Sequence, residues 1–88
     1  MVEEHIVILL NTIEKACWFA NQVQYTFWGK QGYVTVAQDR YMVDGGSVLG
    51  LFALNLTLPL ECTIVAPSKE VLETFENNIA QVVFKKGN

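Results

Sequence analysis

An α+β fold of two layers is predicted for this chain: an open-faced sandwich in which three helices cover a four-stranded sheet, in the order β-α-β-β-α-β-α. Three observations lead there. Apolar residues alternate at period two in some segments and at helical spacing in others, so strands and amphipathic helices follow one another. Two alternating runs, residues 33–38 and 41–43, are separated by Asp39-Arg40 alone, the spacing of a hairpin. Each helix carries one apolar stripe, and a shared sheet is the economical surface on which to bury all of them.

The first element spans residues 5–10, a β-branched run that places Ile6, Ile8 and Leu10 on one strand face and Val7 and Leu9 on the other. Asn11 and Thr12 offer side-chain oxygens to open a helix. In that helix Ile13, Ala16, Phe19, Ala20 and Val23 form the apolar stripe, and Glu14, Trp18 and Asn21 lie off it. Gly29 and Gly32 flank a turn into the hairpin. Gly45-Gly46 then breaks the second hairpin strand, and residues 47–54 form a short helix that cannot extend through Pro59. Strand alternation resumes over residues 60–66. Ser68 caps a last helix over residues 69–84, with Val71, Leu72, Phe75, Ile79, Val82 and Val83 on one arc.

Composition narrows the function. At 88 residues and 51% hydrophobic content, residues 1–88 read as one small domain. Six basic and nine acidic residues give a net charge of -3, and only Lys85-Lys86 cluster, so no nucleic-acid groove is expected. The longest apolar run, residues 6–10, is far too short for a membrane span, and a soluble cytoplasmic protein is the expectation. Cys17 and Cys62 have no metal-ligand spacing and read as core thiols. No paired carboxylates, glycine-rich phosphate loop or Ser/His/Asp set occurs, so neither enzyme activity, metal nor cofactor is expected.

The segment Asp44-Gly45-Gly46-Ser47-Val48-Leu49-Gly50-Leu51-Phe52 is the most informative. Ser47 stands at a helix start, where its oxygen can cap the backbone or carry a phosphate that the helix dipole would favour. Val48, Leu49 and Phe52 share one arc, while Leu51 and Leu54 point elsewhere, toward a core. An exposed apolar arc marks an interaction site. Trp18 either joins it as a binding hot spot or tucks over Val48 or Phe52. On the far sheet face Val7, Leu9 and Val65 suit a homodimer.

Taken together, the element order, Val34-Thr35-Val36 leading through the hairpin to residues 44–51, and the strand over 60–66 with its following helix resemble the histidine-containing phosphocarrier protein HPr of the bacterial phosphotransferase system, over nearly the whole chain. The resemblance implies that Ser47 is a regulatory phosphorylation site and that Val48, Leu49 and Phe52 dock partner proteins. It fails at the first helix start. There the family carries a Gly-Leu-His-Ala-Arg-Pro-like segment, and this chain has Thr12-Ile13-Glu14-Lys15-Ala16-Cys17-Trp18. Glu14, Lys15 or Ala16 falls on the acceptor position, and none offers an imidazole nucleophile. Gly45-Gly46 also replaces the bulkier, often basic residue that precedes the family's serine. His5, the sole histidine, stands at a strand start.

The expectation is thus an HPr-like protein without the acceptor histidine, a non-catalytic protein-binding or regulatory module whose partners are phosphotransferase-system components or a regulator. The alternative is a phosphocarrier of that system with an unconventional acceptor. A ferredoxin-like small-molecule regulatory domain fits less well, because it needs a long second helix.

Overall fold

A computed structural model describes residues 1–86. The chain runs β1 (Val2–Ile8), α1 (Ile13–Phe27), β2 (Tyr33–Gln38), β3 (Tyr41–Asp44), α2 (Val48–Phe52), β4 (Leu60–Ala66), α3 (Lys69–Asn78), a 3-10 turn (Ala80–Val82) and β5 (Val83–Lys86). The strands form one antiparallel sheet in the order β3-β2-β4-β1-β5. Ile6, Ile8, Val34, Val36, Leu60, Cys62, Ile64 and Ala66 line its buried face and meet Phe19, Ala20, Leu51, Leu72 and Phe75 from the helices and Ile79 just beyond α3. Among the described residues no helix covers the other face, so the α+β open-faced architecture holds.

The sheet has five strands rather than four, and the last helix is shorter than the expected 69–84. Apolar residues recur at helical spacing up to Val83, which is why the periodicity extends the helix. Asn77 and Asn78 are weak helix formers, and Ile79 leaves helical geometry at φ -107, ψ 14. Val83 and Phe84 have high strand propensity. They close the edge of β1 that would otherwise present unpaired N–H and C=O groups. Leu9 N–H donates to Val82 C=O at 2.9 Å, and the ladder continues from Ile8↔Val83 across a bulge to Val7↔Lys85. From α3, Glu76 receives Lys86 Nζ at 3.4 Å.

Helix α1 begins as expected, with the Thr12 hydroxyl accepting from Lys15 N–H at 3.0 Å. Its stripe is buried from Ala16 onward, but Ile13 in the first turn is 59% exposed. The hairpin has the expected two-residue loop, with Gln38 paired to Tyr41. Asp39 adopts φ 56, a left-handed conformation that Asp tolerates better than most residues.

Candidate functional site

The loop before α2 is held from three sides. Gly45 N–H donates to Val34 C=O at 2.7 Å, and Gly46 N–H donates to the Asp44 carboxylate at 2.8 Å. The Gln24 side-chain amide of α1 donates to Gly46 C=O at 2.7 Å. Gly45 is needed for close approach, since a Cβ there would stand 2.8 Å from Val34 Cγ1. These bonds deliver Ser47 to the helix start, where its hydroxyl oxygen accepts from Gly50 N–H at 3.0 Å. Ser47 is therefore an N-cap. Replacing it with alanine is expected to lower the unfolding free energy by about 1 kcal/mol, and aspartate should retain most of the cap. Urea titration of the two variants checks this.

Helix α2 is amphipathic over only five residues. Leu51 is fully buried, and Leu54 just beyond the helix is buried as well, whereas Leu49 is 81% and Phe52 41% exposed. Val48 is half-buried and packs against the core, so it forms the margin of the arc rather than its crest. Trp18 is also half-buried and packs against the core.

The start of α1 adjoins the segment after α2, because Asn11 N–H donates to Leu56 C=O at 2.8 Å. Beside it lies a cavity of about 380 Å³ whose walls include Asn11, Thr12, Lys15, Gln81 and Phe84. At the start of α1, Glu14 is exposed, Lys15 half-buried and Ala16 fully buried, and all lie within the helix. The cap itself is Thr12. His5 is on the open sheet face, its Nδ1 3.1 Å from Thr63 Oγ1 and its Nε2 2.8 Å from Glu3 Oε2.

Cys17 is half-buried and Cys62 buried. Burial, with a smaller contribution from the negative charge of Glu76, pushes the Cys62 thiol up to about 12 and holds it neutral and unreactive. Among the described residues no group of three His, Cys, Asp or Glu side chains could hold a metal ion, and no helix is long and apolar enough to cross a membrane. On the open face, carboxylates interrupt the apolar residues: Val7 pairs with Glu61 and Val65 with Glu3.

Two exposed aromatics escape the helical-stripe reading. Tyr25 is 80% and Trp28 83% exposed at the end of α1. Their spacing of three residues, off the apolar stripe, was the available signal.

No protein-family model and no curated protein sequence matches the chain. Eight chains of solved structures match it. One is the crystal structure of HPr-C-His from Thermoanaerobacter tengcongensis, similar over 92% of this chain and 93% of that one, with a TM-score of 0.62 and 18% sequence identity. The fold is HPr-like.

Proposed function

We propose that this HPr-like fold serves as a bacterial, cytoplasmic protein-binding or regulatory module without a phosphoryl acceptor. Its partners are components of a phosphotransferase system or a regulator associated with one. The carrying observation is the polarity of α2: Leu51 is fully buried while Leu49, two residues earlier, is 81% exposed and Phe52 41% exposed. Large apolar side chains held on a rigid, well-anchored element lose little freedom on association and suit a hot spot. Val48 lies half-buried at the margin of that surface, and Trp18 of α1 is likewise half-buried against the core.

The absence of histidine, arginine and proline between Thr12 and Trp18 supports recognition over phosphoryl carriage. Modification of Ser47 would regulate the same surface, because a phosphate places about two negative charges next to the apolar arc. The open sheet face, where Glu3 and Glu61 separate Val65 and Val7, is the weaker surface for a second copy.

Phe52→Asp tests the assignment. The immobilised wild-type chain should retain phosphotransferase-system components that the variant loses, while unfolding changes by no more than about 0.5 kcal/mol, as for other exposed sites. Equal retention by the two chains would place the docking surface elsewhere.

A further inference from the structure

A second cavity, of about 550 Å³, opens between the end of α1 and the length of α3, away from the Ser47 loop. Its volume falls in the range of small-molecule sites, which are mostly apolar with a few placed polar groups. Tyr25 and Trp28, 80% and 83% exposed, line it beside Val71. Thr26 also lines it, 7% exposed, with a hydroxyl that has no hydrogen-bond partner in the protein.

Two charged side chains of opposite sign border the same cavity, Lys30 from the loop after α1 and Glu70 from the first turn of α3. Among the described residues the ion pairs are His5 with Glu3 and Lys86 with Glu76, so neither Lys30 nor Glu70 is neutralised by a neighbour. This arrangement selects among ligands. A polyphosphate would meet one cation and a carboxylate. A simple cation would gain the aromatic faces and Glu70 but meet Lys30. A ligand with both charges next to a flat apolar body satisfies all four side chains.

We propose that this cavity binds a small aromatic zwitterion of the α-amino-acid class. Its ring lies against Trp28 and Tyr25, its carboxylate meets Lys30 and its ammonium meets Glu70. This site is independent of the α2 surface, so the chain would combine protein recognition with response to a small metabolite.

The test is an NMR titration of the full-length ¹⁵N-labelled chain with L-phenylalanine, read at the Trp28 indole N–H. Phenethylamine, 3-phenylpropionate and glycine serve as analogues lacking the carboxylate, the ammonium and the ring. A saturable shift is expected with phenylalanine. Lys30→Met and Glu70→Gln should each weaken binding about two- to fivefold, the range of exposed ion pairs. Trp28→Ala, read at the Thr26 amide, should weaken it about two- to tenfold through lost ring contact. Glycine should not bind. A lack of saturable shift with phenylalanine overturns the proposal, as does equal binding of phenylalanine and both single-charge analogues, or binding indifferent to both charge variants.

Discussion

Replacing Phe75 with alanine is expected to lower the unfolding free energy by about 3–5 kcal/mol, a large share of the roughly 5–15 kcal/mol available to a domain of this kind. Phe75 is fully buried on α3. Its ring meets Phe19 edge-on at a centroid distance of 6.0 Å and Phe27 at 5.6 Å, both from α1. The side chain therefore joins the two long helices above the sheet, and each edge-on pair adds about 0.5–1.5 kcal/mol beyond the area buried. Alanine removes both pairs and leaves a void that rigid neighbours fill poorly. Phe75→Leu should recover much of the loss by keeping volume. Urea denaturation measures both variants, and a loss below about 1.5 kcal/mol for alanine would contradict the central packing role.

Gly32→Ala is expected to destabilise by on the order of 3 kcal/mol, whereas Gly29→Ala in the same loop should have an effect of about 1 kcal/mol. Both glycines have positive φ, +118 for Gly32 and +69 for Gly29. Their surroundings differ. A Cβ on Gly29 meets nothing within 4 Å, while one on Gly32 overlaps the Val65 carbonyl oxygen and stands 3.2 Å from Phe27 Cε1. Val65 belongs to β4 and pairs with Tyr33, so its carbonyl cannot move without disturbing the sheet. Gly29 at φ +69 also sits in the left-handed well that L-residues occasionally occupy, and Gly32 at φ +118 lies outside it. Equal thermal unfolding of the two variants would contradict this distinction.

The elements that local chemistry decides are legible in the sequence. Thr12, Ser47 and Ser68 each cap the helix expected of them, with hydroxyl-to-amide distances of 3.0, 3.0 and 3.2 Å. The break at Gly45-Gly46 is as expected, and the two-residue loop at Asp39-Arg40 holds although Asp-Arg is not the favoured pairing for so tight a turn. Strand β5 was not legible, because Ile79, Val82 and Val83 continue the helical spacing of α3. What turns Val83 into a strand is the vacant edge of β1, a tertiary condition invisible to local pattern. At the candidate site, the wheel placed Leu51 inward and Leu49 and Phe52 outward, as found. It could not show how far Val48 and Trp18 sink into the core, since that depends on how closely the helices pack over the sheet.

The central claim is recognition without phosphoryl carriage. Its most direct test is intact-mass and peptide analysis of the chain after incubation with phosphoenolpyruvate and the first enzyme of a phosphotransferase system. The mass should remain that of the unmodified protein, with His5 and residues 12–18 unlabelled. A stable phosphoryl group on His5, or on any side chain at the start of α1, would contradict it and identify the chain as a phosphocarrier with an unconventional acceptor.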